Sequence, residues 1–95
     1  MIKGKHIAIT GSLLFYKRKD AFAQISARGG IPQDTVTHET DILVVGSYRK
    51  GSLVGDKSNK LLTAERYNKQ GKNIQIIHED EFLYLLWNTP LSNNK

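Results

Sequence analysis

The sequence predicts an α/β domain built on a mostly parallel sheet covered on both faces. Three observations point there. Apolar segments of strand length alternate with segments of helical periodicity, the strand segments are apolar at consecutive positions, and glycines stand at the breaks between them. Strands interleaved with helices imply right-handed crossovers, and strands buried on both faces read as continuous apolar runs.

Taken in order, His6 to Thr10 is an apolar run between Gly4 and Gly11 and is the first expected strand. Lys17 to Arg28 places Ala21, Phe22 and Ile25 at helical spacing, with Gly29 and Gly30 as the stop, and is the first helix. Ile31 to Val36 carries Pro32, which cannot donate to a ladder, so an edge strand is expected. Asp41 to Gly46 is β-branched and apolar and should be central. Ser47 to Asp56, with Tyr48, Arg49 and Lys50, reads as an exposed loop.

Lys57 to Gln70 is the second helix, with Leu61, Ala64 and Tyr67 or Asn68 on one face and Gly71 at its close. Ile74 to Ile77 is a fourth strand. A last helix follows from His78, with Glu79, Asp80 and Glu81 in its first turn, where carboxylates complement the dipole, and Phe82, Leu85 and Leu86 buried. Trp87 is expected to cover the core at the helix end.

The chain has 95 residues, so one domain over residues 1–90 is expected, with a tail at 91–95. It contains no cysteine, which leaves no disulfide framework and no thiolate metal site, and favours a reducing cytoplasmic setting. No apolar run reaches the length of a membrane span. Fourteen Lys and Arg against nine Asp and Glu give a net charge of +5, which raises the prior for a polyanionic partner. His6, His38 and His78 lack ligand-like spacing, so no metal site is expected. No nucleophile and base pair or Gly-rich nucleotide loop appears, so the expectation is a binding module without catalysis or cofactor.

Several motifs recur in a fixed order: Gly4-Lys5 before the first strand, Thr10-Gly11 after it, Arg18 opening the first helix, and Gly29-Gly30 closing it. Thr40 to Gly46, then Gly55-Asp56-Lys57 with Lys60, then Glu79 to Leu86 complete the series. In this order and spacing, residues 4–87 resemble the BRCT domain, most closely the version found in bacterial NAD-dependent DNA ligases and the replication factor C large subunit. The resemblance implies a four-stranded parallel sheet in the order 2-1-3-4 with three flanking helices. It also implies a phosphate site formed by Thr10, the Gly11 amide and Lys57, joined by Arg18 in DNA-end-binding members, with Lys60 one turn on. Ser12 is grouped with them.

The residue types suit that chemistry. A phosphate needs converging donors, and a hydroxyl, a free amide and cations supply them. Arg18 can grip two oxygens through its fork, whereas a lysine acts as a point charge. Lys57 and Lys60 stand i, i+3 and share a helix face. Lys17, Arg18, Lys19 and Lys57 sit near helix N-termini, where a cation costs roughly 0.3–1 kcal/mol unless an anion arrives.

Taken singly, Thr10-Gly11-Ser12 also reads as an ordinary strand exit with a capping hydroxyl, and Lys17 to Lys19 as a solvated face. Phe15 and Tyr16 suit either stacking on an unpaired base or packing of the loop onto the sheet. The resemblance implies binding of DNA ends carrying a 5′-phosphate, by a monomeric module that recruits or belongs to a replication or repair enzyme. Bacterial modules of this kind are joined to ligases or to exonucleases related to a polymerase proofreading subunit. The alternative it leaves open is a phosphopeptide-binding or protein–protein interaction module.

Overall fold

A computed structural model of the chain describes residues 2–46 and 59–91. The loop with Tyr48, Arg49 and Lys50, and Lys57 itself, lie outside the described residues. The elements run β1 (His6–Thr10), α1 (Arg18–Ala27), β2 (Ile31–Gln33), β3 (Ile42–Val45), α2 (Asn59–Lys69), β4 (Gln75–His78) and α3 (Glu79–Trp87). All strand pairs are parallel, in the order β2-β1-β3-β4. Fold class and strand order are therefore those expected.

The two-residue period of the strands sorts the core into two layers. Ile7, Ile9, Ile42, Val44 and Ile77 face one side and pack against Ala21 and Ile25 of α1 and Phe82 and Leu86 of α3. Ala8, Leu43 and Val45 face the other and meet Ala64 of α2 and Ile74. Both parities of β1 and β3 are consumed, which is why those segments carry no polar alternation. Leu61 and Tyr67 flank the α2 layer, as the helical spacing predicts. Asn68 instead bonds backbone: its amide donates to the Ile74 carbonyl at 3.0 Å and its oxygen accepts the Ile74 amide at 2.7 Å.

β2 is an edge strand but shorter than expected, ending at Gln33 rather than Val36. The Ile31 amide donates to the Lys5 carbonyl, so Ile31 faces β1 and Pro32 turns its missing donor outward, at no cost to the ladder. The turn after it is held by buried Thr40, whose hydroxyl donates to the Gln33 side chain at 2.6 Å and accepts the Thr37 amide at 2.8 Å.

At the opposite end of the sheet, Asp41 accepts the His6 amide at 2.8 Å. That bond holds its carboxyl below the usual carboxylate range against the opposing effect of desolvation. A carboxyl with a depressed folded-state pKa contributes stability above its unfolded value near 3.8 and loses it as pH falls through the folded value. Because the side chain is 42 % exposed, solvent screening keeps the contribution to at most about 1 kcal/mol. Urea melts from pH 5 to pH 2 should show this loss in the native chain and a smaller one in Asp41→Asn.

Candidate functional site

The site is organised by one backbone carbonyl. Along a parallel strand successive residues turn their polar groups to opposite neighbours. The Thr10 carbonyl faces β3 and accepts the Gly46 amide at 2.8 Å, so the Ile9 carbonyl faces the β2 side. The β1–β2 register ends at Ala8 and Gln33, so the Ile9 oxygen lies beyond the last paired residue of β2.

Two cations meet there. Arg18, the first residue of α1, donates through Nη1 to the Ile9 carbonyl at 2.7 Å and through Nη2 to the Gly11 carbonyl at 3.2 Å. Lys60, in the first turn of α2, donates through Nζ to the same Ile9 oxygen at 3.0 Å. The helices lie on opposite faces of the sheet, so the charges arrive from both sides at the carboxyl end of a central strand, where open α/β sheets place ligands.

The arrangement is electrostatically unfavourable on its own. Burial is the main cause that holds the Lys60 ammonium below the usual lysine pKa, Arg18 adds to it, and Asp34, just past β2, opposes it. Lys17, the residue before α1, makes no side-chain capping bond, and the helix therefore opens on cations rather than on a cap. An anion in this corner would relieve both costs.

The structure brings most of the expected residues together. Thr10 is 4 % exposed and shares strand parity with Ala8, which puts its side chain on the α2 face, the face that carries Lys60. Gly11 has φ +80°, a conformation that favours glycine, and turns the chain off β1. Ser12 is exposed, and its backbone lies against Gly46. Lys57, the remaining member of the expected set, is outside the described residues.

Two side chains differ from the expectation. Glu79 stands in the first turn as expected but also reaches another segment: its Oε1 accepts the Leu14 amide at 2.8 Å, and its Oε2 accepts the Leu14 and Phe15 amides at 2.9 and 2.8 Å. The dipole argument fits Asp80 and Glu81, which accept the Glu81 and His78 amides at 2.9 and 3.4 Å. Trp87 remains 52 % exposed instead of covering the core, and its ring meets Phe15 edge-to-face with centroids 5.2 Å apart. Its indole N–H points to the Tyr16 hydroxyl at 3.4 Å. Glu79 is 65 residues from Leu14, so no local spacing signals the contact.

A hollow of about 610 Å³ lies on the other flank of the same loop, between Leu14, Phe15, Val45 and Leu83, with Glu79 and Asp80 at its wall. Its apolar walls and carboxylates make it a poor phosphate site. Among the described residues no group of three His, Cys, Asp or Glu is placed to hold a metal ion. Among them, too, no helix is long and apolar enough to cross a membrane.

The chain is similar to parts of known proteins. A DNA ligase of Syntrophotalea carbinolica is 32 % identical over 85 residues, covering 90 % of this chain and 11 % of that protein. A DNA ligase of Protochlamydia amoebophila is 32 % identical over 83 residues, covering 87 % of this chain and 10 % of that protein. The chain thus spans about a tenth of the length of these relatives. The family model described as the BRCA1 C Terminus (BRCT) domain matches residues 2–86, and the chain belongs to the BRCT family.

Proposed function

We propose that this BRCT domain is a noncatalytic module that binds the 5′-phosphate end of DNA and recruits, or belongs to, a replication or repair enzyme such as a ligase or an exonuclease. The observation that carries this reading is the convergence of Arg18 and Lys60 on the Ile9 carbonyl, beside the Thr10-Gly11 turn. Two like charges brought to one acceptor are stabilised by a counter-charge, and a terminal phosphate supplies more of it than a bridging diester: about −1.5 to −2 for a monoester at neutral pH. The Thr10 hydroxyl, the Gly11 amide and the exposed Ser12 side chain are the neutral donors of the proposed site, and Lys57 its further cation.

The net charge of +5 supports a polyanionic partner. Relatives named as DNA ligases support one at which DNA ends are handled.

The test is a titration of matched duplexes with a 5′-phosphate or a 5′-hydroxyl at two salt concentrations. The phosphorylated duplex should bind more tightly, with a log-log salt slope of about −0.9 per neutralised phosphate. Arg18→Ala and Lys60→Ala should each weaken that binding about tenfold, equivalent to about 1.4 kcal/mol, the scale of a charge-assisted hydrogen bond. Equal affinity for the two duplexes would overturn the reading, and a phosphopeptide that outcompetes the duplex would replace DNA as the ligand.

A further inference from the structure

Glu79 spends a carboxylate on the loop that leads into a site assigned to an anion. Charge alone argues against that placement, since a carboxylate near the corner repels a phosphate. What the side chain does is hold backbone. It accepts three hydrogen bonds of 2.8–2.9 Å from two successive amides, Leu14 and Phe15, and bonds of this kind to a charged acceptor are about twice as strong as neutral ones.

The held segment lies along a single stripe of α3. Glu79, Leu83 and Trp87 are spaced i, i+4, i+8 and share a face. The carboxylate grips the loop at the first position. Leu13 and Tyr16 pack onto the core layer of α1 and α3, and Leu83 packs there too. Phe15 closes the far end between Tyr16, with centroids 5.0 Å apart, and Trp87. On its other side the same loop carries Gly11 and Ser12 and runs into Arg18. Fixing Leu14 and Phe15 therefore shortens the free span between β1 and α1 to a few residues on each side, and a site whose donors are fixed in advance loses less freedom on binding.

We propose that Glu79 is a positioning residue for the anion site, holding the β1–α1 loop so that the Gly11 turn and the Arg18 guanidinium face the ligand together. The inference rests on the 5′-phosphate reading above. It makes a prediction opposite in sign to simple electrostatics: removing this carboxylate should weaken binding of an anion.

The experiment compares Glu79→Gln, Glu79→Asp and Arg18→Ala in the full chain, with 5′-phosphorylated duplex as the probe. Glu79→Gln should bind it about threefold to tenfold more weakly, while affinity for the 5′-hydroxyl duplex stays near that of the native chain. Glu79→Asp keeps the charge but withdraws it by one methylene, so it should behave like Gln if position matters and like the native chain if charge does. Trp87 is the single tryptophan, so its emission reports the loop without any ligand, and it should shift in both Glu79 variants. Thermal melts identify any variant that has merely unfolded.

Binding by Glu79→Gln that is unchanged or tighter, while Arg18→Ala still loses affinity, overturns the positioning role and leaves the 5′-phosphate reading intact. Unchanged binding in Arg18→Ala overturns the reading itself. Emission of Trp87 that is the same in the native chain and in both Glu79 variants shows that Glu79 does not hold the loop, whatever the ligand.

Discussion

Gly46→Ala is expected to destabilise the domain by about 2–3 kcal/mol, the upper range for overpacking in a filled interior, and to remove the preference for a 5′-phosphate. Gly46 is buried at the end of β3, and its amide is committed to the Thr10 carbonyl. A methyl group added there would run into the Ser12 carbonyl and the atoms either side of it. The obstacle is backbone, not the end of a flexible side chain, so the loop must move as a unit.

It has little room to do so, because a Cβ at Gly11 would in turn lie 3.1 Å from the Gly46 oxygen. Strand end and loop are packed main chain against main chain. A shift large enough to admit the methyl carries Ser12 and Gly11 away from Arg18. Thermal melts read by circular dichroism should show a fall of roughly 10–20 °C for a domain of this size. A variant melting within a few degrees of the native chain, with its phosphate preference retained, would show that the loop is not seated on Gly46.

The paired variant Arg18→Ala/Lys60→Ala should lose about thirtyfold in affinity for the 5′-phosphorylated duplex, short of the hundredfold that two independent tenfold losses would give, and its salt slope should flatten by about one to two. The two losses should not simply add. Both side chains donate to one oxygen, and residues that share a partner are coupled. Stability should move little or even rise. Lys60 holds its proton less tightly in the fold than in the unfolded chain, chiefly because it is partly desolvated.

For a group so depressed, the favourable contribution is complete above the unfolded value near 10.5 and is lost as pH falls through the folded value. At neutral pH the charged Lys60 is therefore a burden on the fold, and the native chain should gain stability toward alkaline pH more than the paired variant does. A paired variant that binds the phosphorylated duplex like the native chain would remove the site. One that melts far below the native chain would mean that the cations serve the Ile9 carbonyl and little else.

The sequence alone determines what a short window of chain decides. His6–Thr10 and Ile42–Val45 were legible as strands because a strand buried on both faces has no reason to carry polar residues at alternate positions. Pro32 marked β2 as an edge because a residue without an N–H can only face outward. Phe82 and Leu86 marked the inner face of α3 because one turn of helix separates them. The cations at 18 and 60 were legible as candidates from residue type and from the order of motifs around them.

Tertiary structure alone decided what those groups touch. That Arg18 and Lys60 share one acceptor goes with the Ile9 oxygen lying past Gln33, the last paired residue of β2, and that cannot be read from the residues near 18 or 60. Glu79 looked like an ordinary first-turn carboxylate, and nothing at its own position tells that a loop 64 and 65 residues earlier would offer it two amides. Trp87 is drawn outward by Phe15 and Tyr16 in the same way. Backbone conformation and burial parity are local properties and repeat with the period of the element, so sequence carries them. The partner of a polar side chain depends on how separate elements are stacked, and that geometry exists only once the sheet has closed.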